Sequence, residues 1–174
     1  PNVNTVSACA SGADAIGNAY EILLRGDAEA MITGGTDAAV TRMSLSAFGA
    51  ARALSTNRNH DPSHASRPFD QERDGFVLAE GSGVLILETL ESAEKNGAEP
   101  IAEIIGYGQS ADAFHVTQPS ENGEGAARAM KIALSKANIE PHQIGYINAH
   151  GTSTPLNDKF ETMLIKKVFG ENAY

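Results

Sequence analysis

The order of apolar runs along this 174-residue chain constrains its fold more than any other feature of the sequence. Residues 13–26 place apolar side chains at helical spacing and end on an arginine followed by a glycine. Short apolar segments at residues 2–6 and 28–33 flank this helix, and the glycine pair 34–35 interrupts the second of them. A strand, helix, strand order of this kind predicts an α/β fold, in which crossovers between parallel strands are right-handed.

The remaining chain continues the alternation around one long polar segment. Residues 41–75 lose apolar periodicity, which predicts a long ordered loop after a short helix at 44–51. The further predicted elements are a hairpin of strands 76–79 and 83–88 with Gly81 and Gly83 in its turn, a short helix ending near Gly97, strands at 101–107 and 144–148, a polar loop at 110–120, and helices at 125–137 and from about 158 to 170. We divide the chain into a first domain, residues 1–97, and a second domain, residues 98–174.

The net charge and the cysteine content argue against several classes of protein. A formal net charge of −9 disfavours nucleic acid as a partner, because phosphate binding needs a surplus of Lys and Arg. No apolar run approaches the roughly 20 residues of a membrane-spanning helix, so we expect no membrane partner. A single cysteine forms no internal disulfide, and we therefore expect a reducing compartment such as the cytoplasm.

The charge is unevenly distributed, because residues 42–73 are locally positive within an acidic chain. This segment holds arginines at positions 42, 52, 58, 67 and 73 against three acids. An acidic partner could bind there. The alternative interpretation is solvated surface charge with a few structural arginine pairs.

Cys9 is the only cysteine, and it lies between small residues at the predicted junction of the first strand with the first helix. At such a turn the unpaired backbone N–H groups and the positive end of the helix dipole favour a thiolate, which is the nucleophilic form of the side chain. The alternative is that Cys9 is a small buried apolar residue, as free cysteines often are.

His150 stands out among the five histidines because it follows the predicted strand 144–148 and begins a loop of small residues. An imidazole there could exchange hydrogen bonds with a substrate carbonyl or carboxylate, or could simply bond its own backbone. One cysteine and scattered histidines do not have the spacing of a metal site, so we expect no metal. Residue types alone leave a Cys-His hydrolase open.

Several short motifs together resemble the β-ketoacyl-[acyl-carrier-protein] synthases, specifically the synthase II type of the thiolase superfamily. The motifs occur in the order and spacing of that family and extend over the whole chain. They are residues 7–12 (SACASG), 34–38 (GGTDA), 48–55 (FGAARALS), 66–70 (SRPFD), 73–77 (RDGFV), 110–115 (SADAFH) and 148–155 (NAHGTSTP). The resemblance implies a thiolase-like, layered α-β-α-β-α fold of class α/β. The chain would hold the C-terminal part of the first lobe and the N-terminal part of the second.

The resemblance also implies roles for individual residues. Cys9 matches the nucleophile that accepts the acyl group from a carrier-protein thioester. His150 matches one of two histidines that assist decarboxylation of the malonyl group and stabilise the enolate. Thr152 and Thr154 match threonines that hydrogen-bond the phosphopantetheine arm, and Thr117 matches another contact in the pantetheine tunnel.

Further positions match the surroundings of the family's active site. Phe48 resembles a residue that lines the acyl pocket, and Arg52 resembles a position that meets the acidic carrier protein. Residues 158–159 and Glu161 match a largely structural cluster near the active site. The implied reaction is decarboxylative Claisen condensation in fatty acid elongation, with acyl carrier protein as partner and a homodimer as the assembly. No cofactor is implied, because phosphopantetheine arrives on the carrier-protein substrate.

The sequence departs from the family pattern in what it lacks. Synthases of this type are much longer, with a lobe before the nucleophile and a second histidine and a lysine in a Lys-Ser-x-x-Gly-His motif, none of which is present here. Pro1 and Tyr174 therefore resemble cut points, and we expect these 174 residues to be unable to complete condensation by themselves. The alternatives are a non-catalytic ketosynthase-like subunit, a polyketide-type ketosynthase and, more remotely, the Cys-His hydrolase.

Overall fold

Five α-helices and two β-strands make up the regular structure of residues 1–115, 120, 123–170 and 173, which the computed structural model describes. In chain order they are α1 (Ser11–Leu24), β1 (Ala30–Ala38), α2 (Arg42–Ala50), β2 (Glu80–Glu88), α3 (Leu90–Lys95), α4 (Glu124–Ala137) and α5 (Pro155–Phe169). Short 3₁₀ turns lie at Ala8–Ala10, Pro62–His64 and Pro141–Gln143. The chain forms two compact units, which are Pro1–Ala38 with Glu80–Tyr107 and Ala39–Ala79 with Gly108–Tyr174.

In the first unit, α1 packs against the antiparallel pair of β1 and β2. Its buried face carries Ala19 with Ile22 and Leu23, which follow Ala19 by three and four positions and so lie on the same side of the helix as it does. Burial of a large aliphatic side chain stabilises a fold by roughly 1.5–3 kcal/mol. The predicted helix is confirmed, with bounds that differ by two residues.

The predicted interruption of the second strand by glycine is wrong, because β1 runs through Gly34 and Gly35 to Ala38. Gly34 pairs with Val84 and has a φ of 146°, and a Cβ placed on it would lie 2.1 Å from the carbonyl oxygen of Gly83. Glycine at this position permits a close approach of two strand backbones that a side chain would block. The glycine pair therefore belongs to the sheet and does not end it.

The predicted hairpin at 76–88 is also wrong. The single strand β2 begins at Glu80 and pairs along its length with β1, while Phe76 makes one isolated parallel bridge to Leu54. Gly81 and Gly83 lie inside β2, opposite Asp37 and Gly35. Local glycine spacing predicted a turn here, and pairing with a distant strand overrides that signal.

Three segments predicted as strands, residues 2–6, 101–107 and 144–148, are not assigned to strands in the described structure. A strand is recognised by its ladder of hydrogen bonds to a neighbour, and none of these segments forms such a ladder among the described residues. Their β-rich composition did not predict the pairing, because pairing depends on a second segment.

The second unit contains α2, α4 and α5, and α4 contacts α5. Ala127 of α4 and Leu164 of α5 are buried. Helix α5 begins at Pro155, three residues before the predicted start, because Thr154 caps it by accepting a hydrogen bond from the Asn157 N–H at 3.3 Å. The helices predicted at 44–51 and 125–137, and the short one before Gly97, are confirmed as α2, α4 and α3.

The long polar loop is ordered by a carboxylate near its end. Asp74 accepts hydrogen bonds from the Ser55 hydroxyl at 2.6 Å and from the N–H groups of Thr56 and Asn57 at 2.8 Å each. The Ser55 hydrogen bond is the main cause of a lowered pKa of Asp74, with the two backbone donors adding to it. The predicted long ordered loop is confirmed, and Asp74 ties its end to its beginning.

No helix in the described ranges is both long and apolar enough to cross a membrane.

Substitution of Gly34 tests the close approach of the strands. We expect Gly34→Ala to lower the free energy of unfolding by about 2–4 kcal/mol, because the new methyl group would overlap the Gly83 carbonyl and the backbone has a left-handed φ. Urea denaturation followed by circular dichroism measures the change. The matched control is Gly81→Ala in β2, where a Cβ meets nothing within 4 Å. Equal stabilities of the two variants would contradict the prediction.

Candidate active site

Cys9 lies at the centre of the 3₁₀ turn Ala8–Ala10, which leads directly into α1. Its side chain is exposed, so the alternative of a buried apolar cysteine is not what the structure shows. The preceding residue, Ala8, has a φ of 52°, in the left-handed region. That conformation costs a non-glycine residue roughly 1 kcal/mol and occurs where surrounding contacts enforce it.

The contacts that enforce this turn come from the two serines on either side of Cys9. The Ser7 N–H donates to the Ser11 hydroxyl oxygen at 2.9 Å, and the Ser11 hydroxyl donates to the Ala8 carbonyl at 2.7 Å. The Ala10 N–H donates to the Ser7 carbonyl at 3.2 Å. The backbone immediately before and after the thiol is therefore held by local hydrogen bonds, two of them through the Ser11 hydroxyl.

Asp14, in the first turn of α1, joins this turn to the end of the first unit. Its carboxylate accepts from the Ser7 hydroxyl at 2.5 Å and from the Tyr107 hydroxyl at 2.8 Å. The Tyr107 ring lies against Gly17, where a Cβ would stand 2.2 Å from a ring carbon. Burial, and then the hydrogen bond to Asp14, raise the pKa of Tyr107 to about 12.

His150 is exposed and begins a loop whose backbone is held by Glu161 of α5. One carboxylate oxygen of Glu161 accepts from the His150 N–H at 2.6 Å and the other from the Gly151 N–H at 2.8 Å. The Asn157 side chain donates to the same carboxylate at 3.2 Å. A charged acceptor shared by two consecutive N–H groups fixes the backbone from which the His150 side chain extends.

Ser153 and Asp158 form the buried centre of this loop, with 0% and 1% of their surfaces exposed. Asp158 accepts from the Ser153 N–H at 3.2 Å and from the Phe69 N–H at 2.7 Å. Ser153 accepts from the Arg67 N–H on its hydroxyl and from the Gly75 N–H on its carbonyl, both at 3.0 Å. Ser153 and Phe69 both have positive φ angles, 66° and 64°, so these bonds maintain a strained path.

Arg73 completes the same cluster with its guanidinium group. It donates to the carbonyl of Thr154 at 3.1 Å and to that of Pro155 at 2.9 Å, and it lies 3.5 Å from the Asp158 carboxylate. A buried carboxylate requires such a counter-charge, because an unpaired one would be strongly destabilising. Asp158 and Arg73 thus tie the segment 67–75 to the loop that carries His150.

Thr152 and Thr154 lie together, with their hydroxyl oxygens 2.8 Å apart. The Thr154 hydroxyl also caps α5, and the Thr154 N–H contacts the Thr152 hydroxyl at 3.4 Å. The two hydroxyls on one side of the loop form a polar pair that could share a ligand's hydrogen bonds. Their predicted contact with a phosphopantetheine arm stays a prediction.

Phe48 lies on α2 with 40% of its surface exposed, and its ring packs edge to face against Phe76 with centroids 5.1 Å apart. Arg52 is exposed just beyond the C-terminus of α2, where its φ is 55°. The predicted roles of Phe48 in an acyl pocket and of Arg52 in carrier-protein contact stay predictions. Thr117 lies outside the described residues.

The positive segment 42–73 is less available to a partner than its composition indicates. Arg58 pairs with Glu72, Arg67 with Asp70 at 2.9 Å, and Arg73 with Asp158. The Arg67 hydrogen bond is the main cause of the lowered pKa of Asp70. The two other arginines are exposed; Arg42 is the first residue of α2, and Arg52 lies just beyond its end. Structural pairing therefore accounts for three of the five.

The expected structural role of residues 158–159 and Glu161 agrees with the hydrogen bonds by which Asp158 and Glu161 hold the loop of His150. Sequence reasoning gave no such role to the other residues that hold this loop and the turn of Cys9.

The only sequence signal at Asp14 is its position in the first turn of a helix. That signal is weak, because the helix dipole ordinarily explains an acid there. Arg73 and Ser153 were predicted only as members of the motifs 73–77 and 148–155, and Tyr107 only as part of a strand. The partners that give these residues a structural role are distant in the chain, so local patterns do not indicate that role. In the described part of the chain no group of three or more His, Cys, Asp or Glu side chains is arranged to hold a metal ion.

Substitution of Asp158 tests the buried cluster. We expect Asp158→Ala to lower the free energy of unfolding by about 3 kcal/mol or more, because it leaves Arg73 without its counter-charge and two backbone N–H groups without their acceptor. Urea denaturation measures the loss. Lys159→Ala, at the exposed neighbouring position, is the control and should change stability by less than about 0.5 kcal/mol. A loss of that small size in Asp158→Ala would refute the assignment.

The raised pKa of Tyr107 predicts a distinct alkaline titration. The folded state keeps the phenol protonated up to about pH 12, whereas in the unfolded chain it ionises near pH 10. The stabilisation is therefore complete below about pH 10 and is lost as the pH rises through about 12. Phenolate absorbance should show one of the four tyrosines titrating late, and Tyr107→Phe should remove that step. Its persistence in Tyr107→Phe would assign the step to another residue.

Two family models match this chain in sequence. The β-ketoacyl synthase N-terminal domain matches residues 1–93, and the β-ketoacyl synthase C-terminal domain matches residues 101–174. The chain is 54% identical to 3-oxoacyl-[acyl-carrier-protein] synthase 2 of Staphylococcus aureus over 99% of its length, and 55% identical over its whole length to the protein of the same name from a Synechocystis species. It spans 42% of the length of each of these relatives.

Solved structures show the same backbone. A ketosynthase in complex with its type II polyketide acyl-carrier protein superposes with a TM-score of 0.94 at 42% identity, covering 99% of this chain and 43% of the other. A β-ketoacyl synthase from Burkholderia phymatum superposes with a TM-score of 0.92 at 42% identity, covering 97% and 40% of the two chains. The predicted thiolase-like α/β fold, incomplete in this chain, is confirmed. With matched models over both of its parts and close relatives along its whole length, the chain belongs to the β-ketoacyl synthase family.

Proposed function

We propose that this chain carries the acyl-accepting part of a 3-oxoacyl-[acyl-carrier-protein] synthase, an acyltransferase that condenses an acyl thioester with malonyl-[acyl carrier protein]. The observation that supports it most directly is the exposed thiol of Cys9, held in a strained turn that opens a helix. Exposure gives a large thioester access to the sulfur. The helix N-terminus supplies N–H groups and a positive dipole end where charge develops on the reacting atoms.

In the proposed first step the Cys9 thiolate attacks the thioester carbonyl carbon. A new carbon–sulfur bond to Cys9 forms, the bond to the carrier's pantetheine sulfur breaks, and the carrier leaves as a thiol after taking up a proton. The product is an acyl-Cys9 thioester, which divides one difficult condensation into two easier steps.

In the proposed second step a malonyl thioester loses its carboxylate as carbon dioxide. The electron pair remains as an enolate, which attacks the acyl-Cys9 carbonyl and releases the Cys9 thiolate with the 3-oxoacyl product. His150 is the residue to which we assign hydrogen bonding to the thioester oxygen as negative charge develops there. Loss of one such donor typically lowers the rate by about 10²–10³-fold. The Glu161 clamp on the His150 and Gly151 N–H groups supports this role, because it fixes the histidine backbone.

Substrate delivery follows from the same proposal. We assign Thr152, Thr154 and Thr117 to the phosphopantetheine arm, Phe48 to the acyl pocket and Arg52 to an acidic acyl carrier protein. The paired hydroxyls of Thr152 and Thr154 and the exposure of Arg52 support their assignments. A related ketosynthase has been solved in complex with its acyl-carrier protein.

The proposal extends to the organisation of the protein. We propose domains at residues 1–97 and 98–174, in line with family models that meet between residues 93 and 101. We also propose a homodimer, on family resemblance, and a cytoplasmic location, since a single cysteine fits a reducing compartment. Fatty acid elongation is favoured over a polyketide role because the curated synthase 2 relatives are 54–55% identical, against 42% for the polyketide ketosynthase. The intact Cys9 disfavours a non-catalytic subunit.

Acylation of Cys9 tests the proposal. We expect the purified 174-residue chain, incubated with an acyl-[acyl carrier protein], to gain the mass of one acyl group on the peptide containing Cys9, and Cys9→Ala to gain none. An epoxide inhibitor of condensing enzymes should modify the same residue. Addition of malonyl-[acyl carrier protein] should give no 3-oxoacyl product, because the sequence lacks the second histidine and lysine motif.

Two results would contradict this proposal in different ways. An unmodified Cys9 under conditions that acylate a relative would exclude the acyl-accepting role. Turnover of both substrates at the rate of a relative would show that these residues complete condensation without the missing motif.

A further inference from the structure

We propose that Asp14 is a positioning residue for Cys9, acting through Ser7 and anchored by Tyr107. This inference rests on the proposed function, because it concerns how the nucleophile is presented to an acyl thioester. It assigns no contact between Asp14 and substrate. The Asp14 carboxylate acts through the backbone of the turn that carries the thiol.

The first step of the argument is the position of Ser7, two residues before the thiol. Ser7 is held at three points: its N–H on the Ser11 hydroxyl, its carbonyl on the Ala10 N–H, and its hydroxyl on the Asp14 carboxylate. The second bond lies within the turn and would move with it, and the first joins Ser7 to the residue that directly follows the turn. The third reaches further along α1, to Asp14, whereas the first ends on Ser11, the first residue of the helix.

The second step is the anchoring of Asp14 itself. Its other carboxylate oxygen accepts from the Tyr107 hydroxyl at 2.8 Å. Gly17 lies one helical turn after Asp14 on the same face of α1, and the absence of a side chain there leaves room for the Tyr107 ring. Tyr107 is therefore located by packing as well as by its hydrogen bond, and this gives the carboxylate a fixed orientation.

The third step is the strain at Ala8. Its left-handed φ of 52° lies between the clamped Ser7 and the thiol at Cys9. A non-glycine residue leaves that conformation when its neighbours no longer enforce it. Loss of the Asp14 contact would let Ser7 move and the backbone relax, which would redirect the Cys9 side chain. A displacement of about 1 Å at a reacting atom can lower a rate by about 10²-fold.

The required property of Asp14 is its pair of hydrogen bonds and not its charge. An asparagine in its place would accept from the Tyr107 hydroxyl with its carbonyl oxygen and donate to the Ser7 hydroxyl oxygen with its amide. An alanine would lose both bonds. The two substitutions therefore separate a geometric role from an electrostatic one.

The experiment compares two rates on the single cysteine of the 174-residue chain. The first is acyl transfer from acyl-[acyl carrier protein] to Cys9, which depends on the direction of the thiol. The second is alkylation by iodoacetamide, a small reagent with little orientational requirement. Asp14→Ala and Ser7→Ala should each lower acyl transfer about 10- to 100-fold and alkylation less than about threefold. Asp14→Asn should stay within about threefold of the wild type in both.

Stability measurements and further variants separate effects on folding from effects on function. Circular dichroism and urea denaturation confirm that each variant is folded at the assay temperature, and Asp27→Ala, which removes an exposed acid paired with Arg25 beyond the end of α1, should match the wild type. The Ser7→Ala/Asp14→Ala double variant should be no slower than Asp14→Ala, because both changes break one linkage. Tyr107→Phe should fall between the wild type and Asp14→Ala.

The outcomes distinguish this inference from the proposed function. No acyl transfer in the wild type would overturn both. Acyl transfer in the wild type with an unchanged rate in folded Asp14→Ala would overturn the positioning role alone. Equal losses of acyl transfer and alkylation would also overturn it, as would an Asp14→Asn rate as low as that of Asp14→Ala.

Discussion

The hydrogen bonds and ion pair of the buried Asp158 carboxylate are the interactions on which the second unit of the structure most depends. It lies in the first turn of α5 and accepts backbone N–H groups from Ser153 and Phe69, two residues that adopt left-handed backbone conformations. Burial makes these bonds strong and makes their loss costly, because a buried charge has no water to replace a missing partner. Arg73 supplies the counter-charge and adds bonds to two loop carbonyls. Three chain segments thereby meet at one carboxyl group.

The first unit uses the same device at its own helix. Asp14, like Asp158, stands in the first turn of a helix and holds the segment that precedes it, although its partners are the hydroxyls of Ser7 and Tyr107. Acids are common in first turns because they complement the helix dipole. Here the dipole explains only why a carboxylate is tolerated. Its hydrogen-bond partners explain what Asp14 does: it joins the turn before α1 to Tyr107 at the end of the first unit.

The arginines of the segment 42–73 show that a charge pattern in the sequence does not tell which charges are paired in the folded chain. The segment 42–73 is positive by composition, yet three of its five arginines are committed to carboxylates of the second unit. The pair with Arg67 lowers the pKa of Asp70, and the pair with Arg73 places a positive charge beside Asp158. These arginines therefore stabilise loops and leave less charge for a partner. The exposed Arg52, beyond the end of α2, keeps its charge at the surface. A net count of charges cannot distinguish a paired arginine from one exposed to a partner, because pairing depends on distance in space.

The sequence by itself determined the helices, the long ordered loop and the motifs around Cys9 and His150. Helical periodicity and capping are local properties, which are set by residues three or four positions apart. The same local reasoning failed at Gly34, Gly81 and Gly83, which are strand positions and do not end or turn a strand. At Gly34 the missing side chain lets the two strand backbones approach closely. It also assigned strands at 2–6, 101–107 and 144–148, where the described chain supplies no ladder. Only the tertiary structure decided the β1–β2 register and the bonds of Asp14, Ser153 and Asp158, because each of these interactions joins residues that folding alone brings together.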